Sequence, residues 1–475
     1  MKSVIVIGGG LAGLTAGIYC RKNGLRCTVL EKHSECGGNL TGWSREGCYI
    51  DNCIHWLVGT NENTNLYRTW NEIGMITDSD GLYQADSFFE SEKDGERIAF
   101  SRDAETTRIN MRILSPQDGR EIDRFIDCVK SAARFMTEGK SVFGTLSAYT
   151  AYRGITLAEL SNRFKHPLLR YAFTDYIGGE FSAITLVWAY AAFTCGNGMI
   201  PRGGSKNAAE RIKNKYLKLG GELRLSSEAE RILIDGKRAV GVMLNNGQLL
   251  FGDCVICACD PKITFGRLLS DRYMPRQLYK LYRDKESCPR FSSVHGAFLC
   301  PSDSIPRFGT RVIDCNYGEA RRGGRMIVKE YSYEPSFAPN GFTVVQTMIF
   351  LDERECNRWI IASKNKSGYE AGKDDLSRSM RLALIKAFPA VADSLKPLDT
   401  WTPATYNRYF GAEFGEYMSF ALTPKTPLHR MTSKIRGLDN VFIATQWQCS
   451  PGGLPNAVRA GISAAKNAKS VSKIR

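Results

Sequence analysis

Residues Val4, Ile5, Val6 and Ile7 form a short apolar run, and Leu11, Leu14 and Ile18 then recur at helical spacing. The run predicts a buried strand, the recurrence predicts a helix, and Asn23-Gly24 is expected to end it. A second strand is expected over 25–31, so the chain opens as a βαβ unit. From Asn61 to about Met199 the pattern changes to polar loops and helical segments such as 123–136. Pro201-Arg-Gly-Gly-Ser205 is expected to lead a helix through Tyr216, turned by Gly220-Gly221. Segments 222–225, 230–234, 239–244 and 254–259 then alternate like strands, with Asp235-Gly236 and Asn246-Gly247 as hairpin signals. A mixed α/β insertion is expected from Pro261 to about Met431. It is followed by a strand over 440–444, a Pro-Gly-Gly turn and an alanine-rich helix from Asn456 onward.

The 475 residues, 43% of them hydrophobic, offer more apolar material than one core comfortably uses, so two domains are expected. Glycine and proline without a period, beside 11% aromatic residues, exclude collagen-like and disordered classes. The formal net charge of +15 raises nucleic acid, an acidic ligand or an anionic membrane as partners. The basic residues are scattered and no nucleic-acid signature accompanies them, so a nucleic-acid partner is not expected. Fifteen cysteines and a start directly in a strand, without signal-peptide features, predict reduced thiols and a cytoplasmic location. Cys254, Cys257 and Cys259 sit in an apolar strand pattern without a matching pair, so buried thiols are expected and no metal site. The uncharged stretch 181–201 is interrupted by Thr194, Gly196, Asn197, Gly198 and Pro201, which suits a buried helix and its turn better than a membrane span.

The strongest chemical signal is Gly8-Gly9-Gly10-Leu11-Ala12-Gly13, a G-x-G-x-x-G pattern between the first strand and the first helix. Gly8 suits a tight turn, Gly10 lets a pyrophosphate approach the backbone, and Gly13 lets strand and helix pack closely. The helix N-terminus suits phosphate charge. Glu31, at the end of the second strand and followed by Lys32, is placed to accept from ribose hydroxyls and to repel a 2′-phosphate. An adenosine diphosphate ligand is implied. Only one such pattern is present, so no second, stably bound nicotinamide cofactor is expected.

Gly37-Gly38, followed by Asn39 and Thr41, resembles the second glycine loop of the flavin-dependent superfamily that holds amine oxidases and phytoene desaturases. Gly47-Cys-Tyr-Ile-Asp51 and Ile54-His55-Trp-Leu-Val-Gly59 are similar to a strand and loop of phytoene desaturases and, more closely, retinol saturases. Pro201-Arg-Gly-Gly204, Leu219-Gly-Gly221, Ala239-Val-Gly-Val242 and the stretch from Asp253 to Pro261 resemble the middle block of the same family. Pro451-Gly-Gly-Leu-Pro455, ahead of Ala460-Gly461, is similar to its C-terminal flavin-binding segment. Two positions depart from the pattern. Asn39 stands where amine oxidases often have arginine, and Cys53 stands where the family usually has glycine.

The chain is therefore identified as similar to the FAD-dependent phytoene desaturase, carotenoid isomerase and retinol saturase-like proteins. The resemblance implies an α/β fold in which a Rossmann-type FAD-binding domain (1–70, 199–265 and 432–475) interleaves with an α+β substrate domain (71–198 and 266–431). It implies FAD held by Gly8, Gly10, Leu11, Ala12, Gly13, Glu31, Lys32, Gly37, Gly38, Asn39, Gly452, Gly453 and Leu454. A helix starting near Pro455 would aim its positive end at the charge of a reduced flavin. The expected activity is that of an oxidoreductase acting on a carbon-carbon bond of an apolar, unsaturated, polyene or lipid-like substrate, by hydride transfer with flavin N5. Desaturation, saturation and isomerisation all stay open. The alternatives are a flavin amine oxidase, which Asn39 disfavours, and a non-catalytic redox sensor. His55 is the candidate catalytic residue, as a modulator, beside a structural reading of the same side chain. Tyr406, Tyr409 and Trp447 are candidates to line the flavin, and 181–193 to line an apolar channel. Transient NAD(P)H and a peripheral contact with anionic membrane, through the basic stretch 267–290, complete the expected partners.

Overall fold

The computed structural model describes residues 2–77, 81–139, 149–317 and 324–473. Its first sheet is parallel throughout, in the order Glu222–Arg224, Arg26–Leu30, Ser3–Ile7, Cys254–Cys257, Val441–Ile443. Continuous apolar strands suit such a sheet because both of its faces are covered. Val4 and Val6 enter the core with the helices Leu11–Lys22, Gly204–Lys218 and Leu454–Lys473. Ile5 and Ile7 enter another core with the antiparallel strands Ala229–Asp235 and Arg238–Leu244. Gly461 allows the last helix to cross the first at close range, since a Cβ there would stand 2.5 Å from the Ala12 carbonyl oxygen.

Several expected strands change place or length. The expected strand at 222–225 is the edge of the parallel sheet and not part of the antiparallel meander, whose third strand is Leu249–Phe251. That strand escapes the sequence pattern because Leu249 and Phe251 are exposed, so its apolar positions mark no buried face. The strand expected over 254–259 ends at Cys257. Cys254 and Cys257 fall into cores on opposite faces of the sheet, which separates them, and all fifteen cysteines are free thiols.

The second sheet has seven strands, in the order Lys396–Trp401, Ser292–Pro301, Phe342–Leu351, Arg325–Glu330, Thr310–Asp314, Ser87–Lys93, Glu96–Ser101. Its last two form a hairpin inside the region read as loops and helices. Asp94 (φ 51°) and Gly95 (φ 84°) close it, the same turn chemistry read elsewhere in the chain. The parallel pairing of Thr310–Asp314 with Ser87–Lys93 makes one sheet from two distant stretches of chain. Arg325 lies at that junction, donating to both Asp175 carboxylate oxygens (3.1 and 2.6 Å) and to Asp314 (2.8 Å).

Helices Ala104–Leu114, Gly119–Glu138, Pro167–Asp175 and Ile184–Thr194 cover one side of this sheet. The second of these is the helix expected over 123–136. Among the described residues no helix is long and apolar enough to cross a membrane. The uncharged helix Ile184–Thr194 is mostly core and lends Phe193 to a cavity described below.

The basic stretch 267–290 also reads differently in three dimensions. Leu278 and Leu281 of the helix Arg276–Arg283 point into the core, and Arg267 pairs with Glu228. Arg290 is buried among Glu353, Glu413 and Glu416, so it belongs to an internal ion cluster and not to a surface patch. Arg272, Arg276, Lys280 and Arg283 remain exposed.

Candidate functional site

The first glycine turn follows directly from Ser3–Ile7. Gly8 takes φ 108°, and its N–H donates to the Leu30 carbonyl at 2.8 Å. A Cβ on Gly13 would stand 1.9 Å from the Gly8 carbonyl oxygen, so the third glycine is required by packing. Gly10 differs, because a Cβ there would meet nothing nearer than 3.7 Å. Its lack of a side chain leaves space beside the start of the first helix. That helix has no side-chain cap and no acidic residue in its first turn, so the amides from Leu11 to Gly13 and the dipole face outward uncompensated.

Gly37 and Gly38, both at positive φ, fold over this turn, with Gly37 N–H donating to the Gly9 carbonyl at 2.9 Å. Glu31 is buried and braced: its two carboxylate oxygens accept from Gly9 N–H (2.8 Å) and His33 N–H (3.0 Å). Each oxygen keeps a second lone pair for a ligand hydroxyl. Lys32 is partly exposed beside it. Asn39 carries a buried Oδ1 with no hydrogen-bond partner.

The C-terminal loop is held from below by Gln446, whose Oε1 accepts from Gly453 N–H at 2.7 Å. Gly452 and Gly453 both take φ 85°, and a Cβ on Gly452 would come within 2.8 Å of Ser419 N. The helix begins at Leu454, and Leu454 packs on the core that contains Leu11 and Ala12.

A buried polar chain joins the two loops through the second sheet. Asn52 Nδ2 donates to the Asn39 carbonyl (3.3 Å), and Tyr406 OH donates to Asn52 Oδ1 (3.0 Å). The His295 ring stacks on Trp401 at 4.7 Å, with Nε2 2.8 Å from Ser293 Oγ and 3.2 Å from Tyr406 OH. Ser293 donates to Tyr417 OH (3.2 Å), and Gln446 Nε2 donates to the Tyr417 carbonyl (3.0 Å). Burial, with a smaller push from His55, holds His295 well below the usual imidazole range, and burial pushes the Tyr406 hydroxyl well up. The chain is therefore neutral at neutral pH and can orient groups without carrying charge.

Beyond the 51–55 loop lies a small cavity of about 20 Å³, walled by Trp56, Phe88, Tyr176 and Phe193 together with the polar Gln84, Ser87 and Thr310, with His55 and Lys329 as its basic groups. Burial first, and then the nearby Lys329 charge, push His55 down to about 3, so its ring is uncharged. Lys329 Nζ donates to the carbonyls of Ile54 (3.1 Å) and His55 (3.4 Å). Burial lowers it to about 8, against the support of Asp51 and Glu330. Burial, with Asp51, pushes the Cys53 thiol up to about 12, which keeps it protonated.

The structure brings the two glycine loops, Glu31, Asn39 and the 51–55 loop together, sets Tyr409 beside the Glu31 end of this group, and packs Trp447 away from it. Tyr409 is exposed and lies against His33, while Trp447 packs in the core with Phe420 and Tyr282. His295, Lys329 and Gln446 were missed. His295 is the lone ionisable group in an uncharged run between Arg290 and Asp303 apart from thiols, and Lys329 directly follows the apolar run Met326-Ile-Val328, which are the signals that could have found them.

A five-stranded parallel sheet interleaved with a large mixed sheet gives the chain a Rossmann-like α/β architecture. Residues 6–73 match the NAD(P)-binding Rossmann-like domain family. Prolycopene isomerase 2, chloroplastic, from an Oncidium hybrid cultivar is 24% identical over 87% of this chain and 74% of its own length. The lycopene-forming phytoene desaturase of Paracoccus sp. is 25% identical over 54% of each chain. Among solved structures, putrescine oxidase bound to putrescine aligns over 98% of both chains with a TM-score of 0.61 at 15% identity, a likeness of fold. These comparisons bear out the resemblance to phytoene desaturase and carotenoid isomerase proteins, and with it the expectation of an α/β oxidoreductase.

Proposed function

We propose that this chain binds FAD and acts as an oxidoreductase on a carbon-carbon bond of an apolar, unsaturated substrate. The observation that carries the reading is the glycine cradle, with open amides at the start of the first helix and a braced Glu31, which Asn52 ties to the 51–55 loop. The residues present fit the cofactor. Gly8, Gly10, Leu11, Ala12 and Gly13 would receive its pyrophosphate on open amides, Glu31 would accept from its ribose with Lys32 alongside, and Gly37, Gly38 and Asn39 would cover it. The orphaned Asn39 Oδ1 is an acceptor in that cradle waiting for a donor. Gly452, Gly453 and Leu454 would meet the ring with a helix N-terminus. Bound FAD supplies the hydride chemistry. The chain's own part is to orient the ring through the Asn39-to-Gly453 polar chain.

The test is an anaerobic one on the yellow protein, offering polyenes and simple amines to the oxidised and the reduced form. Flavin absorbance and the polyene products are followed together. A change in flavin redox state or in double-bond number or geometry with polyenes supports the reading. Bleaching by amines alone, with every polyene unchanged, overturns it.

His55 contributes as a modulator. A ring held uncharged down to about pH 3 is poorly matched to general-acid work at neutral pH, whose usual contribution is ~10²–10⁴-fold. His55→Ala is expected to keep its flavin and to lose no more than ~10²-fold in turnover, at the low end of that range. A variant with full flavin content and no detectable turnover would assign the imidazole an essential role.

A further inference from the structure

The buried ion cluster around Arg290 holds one carboxyl more than its cations pair. Arg290 donates to Glu413 (2.9 Å), Glu353 (3.2 Å) and Glu416 (3.3 Å), while Lys262 and Lys285 reach Glu413 and Glu353 from the rim. The remaining acid is Asp260, and among the described residues no cation forms an ion pair with it. Its Oδ1 accepts from Lys262 N–H (2.8 Å), and the charges of Lys262 and Arg290 act on it only from a distance. Burial first, and then the like charge of Glu416, push the Asp260 carboxyl up to about 7. Burial raises Glu416 as well, but Arg290 and Phe414 N–H (2.6 Å) favour its charged form, so the cluster's proton falls to Asp260. Tyr282 and Cys259 are the other titratable groups facing Asp260, and burial pushes both up, so both stay protonated. The Tyr282 hydroxyl is a buried donor without a partner, within electrostatic reach of an ionised Asp260. Asp260 itself is partly exposed, so its proton exchanges with solvent.

The cluster stands between the two loops that the cofactor reading assigns to FAD. A Cβ on Gly8 would meet the Ala258 carbonyl oxygen at 2.8 Å and Cys259 N at 3.4 Å, and Asp260 is the next residue along from that contact. At the other end, Glu416 leads into Met418 and Ser419, which a Cβ on Gly453 would meet at 3.8 Å and one on Gly452 at 2.8 Å. Ionised Asp260 therefore sets an unpaired anion beside the turn proposed to carry a dianionic diphosphate, in surroundings where charges are poorly screened.

We propose that Asp260 makes the hold on FAD proton-linked: its neutral carboxyl tolerates the diphosphate at the adjoining turn, and its ionisation loosens that hold. The proposal rests on the FAD reading above and adds a regulation of the same site. The sign follows from linkage. A dianion beside Asp260 favours the neutral carboxyl, so binding takes up a proton wherever the cofactor-free protein has lost it. Affinity is level below about 7 and falls above it, by at most ~10-fold per pH unit for one proton.

The experiment dilutes the yellow holoprotein into buffers from about pH 6 to about pH 8.5 at fixed ionic strength and reads the fluorescence of released FAD. Circular dichroism at each pH reports the folded fraction. Wild type is expected to bind roughly 3- to 30-fold more weakly at the upper end. Asp260→Asn keeps the helix cap and cannot ionise, so its affinity is expected to be level across the range. Glu416→Gln removes the like charge, so its fall in affinity is expected to begin at lower pH, and it decides the matter should Asp260→Asn not fold. Wild-type affinity that is level with pH, a folded Asp260→Asn with the wild-type profile, or a Glu416→Gln profile that starts at the wild-type pH overturns the proposal and leaves the FAD reading standing. FAD release that only accompanies loss of the folded signal overturns it too. Protein that carries no flavin at any pH overturns the FAD reading and the proposal with it.

Discussion

Gly10→Val is expected to give folded, colourless protein, whereas Gly13→Ala is expected to give little folded protein at all. The two glycines belong to one motif and differ in what surrounds them. Gly10 has extended backbone (φ −73°, ψ −179°) that valine adopts readily, and its Cβ would meet only ordinary contacts at 3.7 Å. Its side chain would instead fill the approach to the open amides of the first helix, where the pyrophosphate is proposed to lie. On Gly13 even a methyl group would stand 1.9 Å from the Gly8 carbonyl oxygen and 3.2 Å from Ala258 Cβ. Separating strand from helix to relieve that overlap costs more than the 1–3 kcal/mol typical of overpacking. Flavin absorbance per mole of protein, with thermal melting, reads both results. A Gly10→Val protein with full flavin content would remove the cradle from the cofactor assignment.

Arg325→Met is expected to cost about 3–5 kcal/mol, the usual penalty for breaking a buried ion pair from one side. Asp175 would be left with Ser91 as its hydrogen-bond partner, in a site from which water is excluded. Burial already pushes the Asp175 carboxyl above the usual carboxylate range even with Arg325 present. Without the guanidinium it rises further, so the folded variant holds a proton that the unfolded chain has released. The deficit relative to wild type therefore grows as pH rises above the already raised wild-type Asp175 value, and below that value, where both folded proteins hold the proton, it no longer changes. Urea unfolding at several pH values measures this. Arg325→Met combined with Asp175→Leu is expected to recover much of the loss, and a single variant as stable as wild type would show that the pair does not hold the two chain stretches together.

Legibility along the chain follows the range of the physical cause. The βαβ opening, Glu31, the two glycine loops and the helix after Pro451-Gly452-Gly453 are readable because steric and turn requirements act within a few residues. The hairpin at Asp94-Gly95 carried the same kind of signal, hidden by a polar, charged strand pattern in Ser87–Lys93 and Glu96–Ser101. Tyr409 and Trp447 were reasonable aromatic candidates whose placement at the surface and in the core depends on packing that no local pattern encodes.

The amino-acid sequence by itself determined the glycine cradle. Gly8 at positive φ, Gly13 against its own turn and an acid at the second strand's end are local necessities, and few other residues satisfy them. Only the tertiary structure decided what faces that cradle. His295, Tyr406 and Asn52 meet because strands distant in the chain pair in one register, and Lys329 borders the cavity because Arg325–Glu330 lies inside the seven-stranded sheet. The same packing took Arg290 from an apparent surface stripe into a buried cluster with three glutamates. Register and layer packing are settled by apolar burial summed over the whole chain, a quantity to which any single polar residue contributes little. The location of such residues is therefore a consequence of the fold, and their chemistry becomes readable only once it is formed.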